Sequence, residues 1–262
     1  MAGDIVSEFR ARKRPIKVEL KSGHDPVTPA DRAASKAITG GLRAAFGADI
    51  VISEEAPDDL RRRRAPRVWY VDPLDGTKAF IRGETGFCVM VGLAVNHQPR
   101  LGVIYVPSTR ALIWGTPEGG AWIQFGDSPP KRIRPSRVKS MAAAVSRQRR
   151  PNADSKALEL CGVGPKALAS IGLQIALVAM GGSDAFMVKP SFGTSSWDTC
   201  APEAIVRAAG GTVSDVYGDP TRYDGKTGRH ENGLVASNGP LHAEVIGQIA
   251  PLFPRRKKRV SR

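Results

Sequence analysis

Cysteine is scarce in this chain. Cys88, Cys161 and Cys200 are three in 262 residues, an odd number with no CxxC pair. That spacing speaks against a disulfide framework and a thiolate zinc site, and it fits a reducing compartment, so the expected location is the cytoplasm. Long apolar runs are also missing. The longest, IGLQIALVAMGG, is too short to cross a bilayer, and MAGDIVSEFRARKR lacks an apolar stretch followed by a cleavage signal. No membrane association is expected. The four histidines, His24, His97, His230 and His242, have no ligand spacing and are expected as isolated surface or loop residues. No internal repeat of the solenoid kind is present.

Negative charge is in deficit: 25 Asp plus Glu stand against 39 Lys plus Arg, for a formal charge of +14. The excess sits in runs, namely FRARKRP, RRRRAPR at 61–67, KRIRPSRVK at 131–139 and the terminal PRRKKRVSR. Such runs are most often solvated arms or loops. They also attract anions, whether phosphorylated small molecules, nucleic acid or a membrane surface. None interleaves aromatic residues or lies in a nucleic-acid-binding module, so nucleic acid is not the expected partner.

With 41% hydrophobic residues, the chain can bury a sizeable core. Thr28-Pro29-Ala30-Asp31 has the pattern of a helix start, and Ala30, Ala33, Ala34, Ala37 and Ile38 follow at helical spacing. Gly40 and Gly41 weaken that helix, and Gly47 is its expected stop. DIVISEE and VWYVDPL read as neighbouring strands that deliver acids to one edge. From Phe87 to about Phe125, short β-rich segments separated by turn residues predict a mostly antiparallel meander. GDSPPKRIRPSRVKS then interrupts the pattern. The expected organisation is an N-terminal α+β half over 1–140, carrying the meander and a metal site. An α/β half over 141–262 would close the site, with a basic tail at 254–262.

The chemistry is concentrated in WYVDPLDGTKAF. Asp72 and Asp75 end an apolar run, and all-oxygen ligands at a strand end suit a hard cation such as Mg²⁺. Leu74 between them offers only its carbonyl. Gly76 lets the chain turn, and the N–H groups of Gly76 and Thr77 could meet a phosphate oxygen. Taken alone, this could be an ordinary D-P-x-D-G turn. Further acids stand elsewhere: Asp25 and Asp31, Glu54 and Glu55, and Asp198 after Trp197. Each has a plain alternative, as a strand exit, a helix cap, or a cap following a buried tryptophan.

In order, D-P-V-T-P-A-D, S-E-E, W-Y-V-D-P-L-D-G-T-K-A-F and W-D-T-C-A-P-E-A resemble the inositol monophosphatase superfamily of Mg²⁺-dependent, lithium-sensitive phosphomonoesterases. The resemblance runs from about Lys21 to Ile249. DPLDGTKAFI, VSRQRR at 145–150, FGTSSWDT and GLVASN look most like the 3′(2′),5′-bisphosphate nucleotidase branch. The resemblance implies a layered αβαβα sandwich of α+β or α/β class, a homodimer, and two or three Mg²⁺ ions. It implies metal ligation by Glu54, Asp72, Asp75, Asp198 and the Leu74 carbonyl. It further implies a water-activating group of Asp31, Thr77 and Glu54, and phosphate contacts at Gly76 and Thr77. The implied reaction is hydrolysis of 3′-phosphoadenosine 5′-phosphate. Its second phosphate would need basic partners, for which Lys189, Arg147, Lys78 and Arg82 are candidates.

Rival readings exist. LDGT also occurs in the haloacid dehalogenase phosphatases, but Asp72-x-x-Asp75 puts the earlier acid out of the strand alternation that chemistry needs. DGKTG at 224–228 lacks the earlier glycine of a phosphate-binding loop, since Pro220 stands there. Inositol monophosphatase and histidinol-phosphate phosphatase activities are the substrate alternatives. Typical inositol monophosphatases tend to carry an acid near the position of Lys189, and the intact WDT fits the histidinol enzymes less well. A basic scaffold that binds nucleic acid or anionic lipid is the non-enzymatic alternative.

Overall fold

The structure is a computed structural model that describes residues 1–11, 16–21, 25–140 and 170–255. The basic start forms helix α1 (Ala2–Ala11) rather than a free arm, because Val6 is buried against the neighbouring helix. Strands β1 (Glu19–Leu20) and β2 (Pro26–Val27) pair as a short ribbon. Helix α2 (Pro29–Ala45) starts at a full capping box, Thr28 with Asp31. It continues through Gly40 and Gly41 and ends at Phe46, one residue before the expected glycine stop.

Strands β3 (Ile50–Ser53) and β4 (Arg67–Asp75) run parallel, with Ser53 opposite Val71. Their acidic ends therefore leave the sheet on the same side. Helix α3 (Thr77–Arg82) follows Gly76, whose φ of 92° is accessible to glycine without strain. The antiparallel meander then forms as expected: β5 (Cys88–Val95), β6 (Gln98–Val106), β7 (Ala111–Thr116) and β8 (Gly120–Phe125). The proline- and arginine-rich interruption adds one more strand, β9 (Lys131–Arg132), at the edge of the same seven-stranded sheet.

Alternation along β5 shows how the sheet is covered on both faces. Cys88 and Met90 point to one core, Val89 and Leu93 to the other. On the second side lie α1 and α2, with Val6, Ala34 and Ile38 against Trp69, Val71 and Val89. On the first side lie α4 (Ile171–Ala179) and α5 (Ser196–Ala209). Beyond them sits a three-stranded sheet in the order β10 (Ala185–Val188), β12 (Leu234–Ser237), β11 (Thr212–Ser214). Both of its pairings are antiparallel, although alternation of helices and strands commonly gives a parallel sheet. Helix α6 (His242–Ile249) covers its outer face through Val245, Val216 and Val235. The layers therefore run helix, sheet, helix, sheet, helix.

The approach of α5 to the large sheet is set by glycine. A Cβ on Gly102 would stand 2.0 Å from the Ala201 carbonyl oxygen, and one on Gly92 would stand 2.6 Å from the Ala201 nitrogen. Only hydrogen fits at these two positions, and the helix rests directly on β5 and β6. Its N-terminus then lies over the end of β4.

Candidate active site

β4 keeps its ladder with β5 as far as Asp72, opposite Met90, and resumes at Asp75, opposite Cys88. The register shifts between them, where Pro73 has no N–H to give. This irregularity turns both aspartates toward the strand end, and the Leu74 N–H donates back to Asp72 Oδ1 at 3.0 Å. On the parallel neighbour, the Glu54 N–H donates to the Val71 carbonyl at 3.1 Å, which places Glu54 beside the same edge. Asp198 arrives from the other core. Ser195 caps α5, and Asp198, at the third helical position, accepts from the Ser195 N–H at 2.7 Å. The cap is thus Ser195 rather than Asp198, and the tryptophan before Asp198 is only partly buried.

Electrostatics show that these acids share one space. Burial pushes the Asp72 carboxyl well above the usual carboxylate range, and the charges of Glu54, Asp75 and Asp198 push it further. Asp198 is likewise raised by burial and by Asp75 and Glu54, with Arg229 opposing. Burial raises Glu54, against the pull of Lys21, and raises Asp75 despite its hydrogen bonds. Four carboxylates, Asp72 buried and the other three partly so, that repel one another are a poor arrangement in a protein left to itself. All-oxygen donors with surplus negative charge suit a hard divalent cation, so the residues fit the group. Among the described residues no three acidic, His or Cys side chains stand ready-made around one point. Asp75 Oδ2 accepts from the Ser170 hydroxyl at 2.5 Å and the Gly172 N–H at 2.8 Å, and Glu54 accepts from Lys21 Nζ at 2.9 Å.

Asp31 and Thr77, 46 residues apart in sequence, meet here. Thr77 Oγ1 lies 3.1 Å from Asp31 Oδ1 and 2.9 Å from the Leu74 carbonyl oxygen. The other Asp31 oxygen accepts from the Thr28 N–H at 2.8 Å and the Thr28 hydroxyl at 2.6 Å. Its capping duty therefore uses one oxygen and leaves the other for Thr77.

The expected substrate contacts are less gathered. Lys78 and Lys189 are exposed, Arg82 is engaged by Glu84 at 2.8 and 2.7 Å, and Arg147 lies outside the described residues, as do His24, Cys161 and residues 256–262. The histidine expectation is corrected at His230 and His242, while His97 lies in the turn between β5 and β6. His230 is buried with Nε2 2.7 Å from Thr199 Oγ1, and His242 bonds Ser214 and Ser237. Burial lowers both imidazoles. The arginine run at 61–67 is not simply solvated either, since Arg62 is 1% exposed and held by Asp58 and by the Gly225 and Lys226 carbonyls. Three neighbours of the site were not legible in advance: Lys21, which also reaches Glu55; Ser170; and Arg229. Lys21 stands at the head of the motif series, and only its position four residues before Asp25 hinted at it.

The chain matches the profile of the Inositol monophosphatase family over residues 1–252. It is 36% identical over 227 residues to the 3′(2′),5′-bisphosphate nucleotidase CysQ of Escherichia coli, covering 85% of this chain and 89% of that protein. It is 29% identical over 253 residues to a histidinol-phosphatase of Mycobacterium tuberculosis, covering 94% and 93%. Among solved structures, the Thermotoga maritima IMPase superposes with a TM-score of 0.71 at 25% identity, covering 96% of this chain and 93% of that one. CysQ from Bacteroides thetaiotaomicron superposes with a TM-score of 0.66 at 27% identity, covering 90% and 93%.

Proposed function

This chain belongs to the inositol monophosphatase family of metal-dependent phosphatases, and on that premise we propose that it is a 3′(2′),5′-bisphosphate nucleotidase that converts 3′-phosphoadenosine 5′-phosphate to AMP and phosphate. The observation that supports the chemistry is the convergence of Glu54, Asp72, Asp75 and Asp198 beside the Thr77–Asp31 contact. The observation that supports the substrate is the 36% identity to the E. coli nucleotidase.

Glu54, Asp72, Asp75, Asp198 and the Leu74 carbonyl are the residues that would hold Mg²⁺, as two or three ions. When bound, such ions neutralise phosphate charge, lower the pKa of water and accept charge on the leaving oxygen. The chain's own residues do the positioning. Asp31 Oδ1 takes the Thr77 proton in a hydrogen bond, so the Thr77 oxygen turns a lone pair outward to accept from a water. That water attacks phosphorus in line. A water-oxygen bond to phosphorus forms as the bond to the 3′ oxygen breaks; the attacking water gives up a proton to solvent, and the nucleoside oxygen takes one from solvent and leaves as the alcohol. Gly76 and Thr77 N–H groups hold the phosphate oxygens, and no phosphorylated side chain is required. The same reading includes lithium sensitivity, a homodimer and a cytoplasmic location.

A phosphate-release panel with Mg²⁺ tests the proposal, using 3′-phosphoadenosine 5′-phosphate, inositol 1-phosphate, histidinol phosphate and fructose 1,6-bisphosphate. The nucleotide should give the highest kcat/KM. A higher value on histidinol phosphate or inositol 1-phosphate overturns the substrate, and no release from any of the four overturns the reaction.

A further inference from the structure

Arg229 has no role in the reaction described above, yet its position is tightly built. On one side the Gly228 carbonyl accepts from the Ser196 N–H at 2.8 Å, and on the other the His230 N–H donates to the Thr194 carbonyl at 2.9 Å. Arg229 itself bridges to Ser195 in antiparallel fashion. In extended chain successive side chains alternate, and since His230 is buried, the Arg229 side chain is directed outward at the entrance of α5. Its Nη1 lies where a Cβ on Gly193 would come within 3.2 Å, so the guanidinium covers this glycine. Gly193 has φ +72° and carries no side chain to displace it. Among the described residues, the Arg229 side chain has no hydrogen bond or ion pair. Its charge is nevertheless felt by the Asp198 carboxylate.

Two further features flank it. The 3₁₀ turn Pro190–Phe192 ends immediately before Gly193, and Phe192 is 61% exposed there. Lys189, which opens that turn, is exposed and unpaired among the described residues. Next to Gly193, the buried Thr194 hydroxyl also lacks a hydrogen-bond partner among the described residues. A guanidinium and an ammonium without an ion-pair partner among the described residues, together with an uncovered aromatic ring, therefore lie on and against the turn that ends at Gly193, and the guanidinium's charge reaches Asp198. Guanidinium recognises phosphate in a planar fork, and an aromatic face accepts a nucleobase by stacking.

Building on the nucleotidase reading, we propose that Arg229, with Lys189 and Phe192 beside it, is the subsite for the part of a nucleoside bisphosphate that is not hydrolysed: Arg229 binds the second phosphate and Phe192 stacks on the base. The reacting phosphate is held from the N-terminal half, at Gly76 and Thr77. The recognition of the remainder falls to the C-terminal half. The positive charges of Arg229 and Lys189 then separate bisphosphates from monophosphates, without touching the bond that breaks.

The test compares 3′-phosphoadenosine 5′-phosphate with adenosine 3′-monophosphate, which share the scissile phosphate and the base and differ by the second phosphate alone. Wild-type enzyme should favour the bisphosphate. Arg229→Gln should lower the ratio of kcat/KM for the bisphosphate to that for the monophosphate by about 10- to 100-fold, chiefly through KM for the bisphosphate. Arg229→Lys should restore part of the difference. Phe192→Ala should raise KM for both nucleotides by about tenfold, because both carry the base. A wild-type enzyme without preference for the bisphosphate overturns the subsite together with the nucleotidase reading. If wild type has the preference and Arg229→Gln keeps it, or loses activity equally on both substrates, the subsite alone is overturned.

Discussion

The Tyr70 hydroxyl donates to the Tyr223 carbonyl oxygen at 2.8 Å, tying β4, two residues before Asp72, to a segment that braces α5. The Tyr223 hydroxyl in turn donates to Glu203 Oε2 at 2.8 Å and lies 3.1 Å from Thr199 Oγ1, the residue after Asp198. The strand that carries Asp72 and the helix that carries Asp198 are thus joined through one tyrosine. Tyr223→Phe removes the hydroxyl and leaves Glu203, fully buried, with one partner fewer. A loss of about 1–3 kcal/mol is expected, seen as a lower urea midpoint at unchanged slope. The Mg²⁺ concentration for half-maximal activity should rise as well. A stability loss with unaltered Mg²⁺ dependence would show that the tyrosine serves only the core.

Asp31→Asn separates the two duties of this residue. The amide can still accept from Thr28 at the cap, whereas the carboxylate that orders Thr77 is gone. Turnover should fall by about 10²- to 10⁴-fold, while the capping change costs about 1 kcal/mol. Thr77→Ser should keep most activity and Thr77→Ala little. Steady-state kinetics beside a melting curve distinguishes these outcomes, and an Asp31→Asn enzyme with full turnover would remove the pair from the mechanism.

Asp72 carries the clearest pH dependence. Its carboxyl is raised in the folded chain, so folding favours the protonated form. The stability this group contributes is present below the pKa of an unfolded aspartate and is lost as pH rises through the higher folded value. At neutral pH in EDTA the ionised group is a liability. Asp72→Asn should therefore raise the melting temperature in EDTA while it abolishes turnover, and Mg²⁺ should stabilise wild type but not the variant. Differential scanning fluorimetry reads all four conditions, and a lower melting temperature for Asp72→Asn in EDTA would contradict the assignment.

Two glycine substitutions should have opposite signs. Gly102→Ala drives a methyl into the Ala201 carbonyl, which neither backbone can avoid, so a loss of about 3 kcal/mol or more is expected. Gly40 sits within α2, exposed, with nothing within 4 Å of where a Cβ would stand. Gly40→Ala should stabilise by about 0.5–1 kcal/mol. Chemical denaturation of the pair decides whether close approach or helix propensity governs each site.

What the sequence disclosed was local or strongly patterned. The Thr28–Asp31 cap, the meander and the strand-end acids all rest on neighbours a few residues away, or on period-two alternation. Contacts made by folding were hidden. Nothing near Ser170 announces its bond to Asp75, and nothing in RRRRAPR distinguishes the buried Arg62 from its exposed neighbours. His230 looked like any loop histidine because its partner Thr199 lies 31 residues earlier in the chain. The antiparallel order of the small sheet was equally hidden, because helix–strand alternation sets the sequence of elements but not the direction in which a strand is inserted.

The seat of α5 on Gly92 and Gly102 also governs when this enzyme comes alive. In chain order the strands of the large sheet and three of the acids at its edge come before α5. Asp198 joins the others only when α5 settles on those two glycines. On the proposed assignment, a chain truncated before that helix would lack Asp198 and would leave one face of its large sheet uncovered.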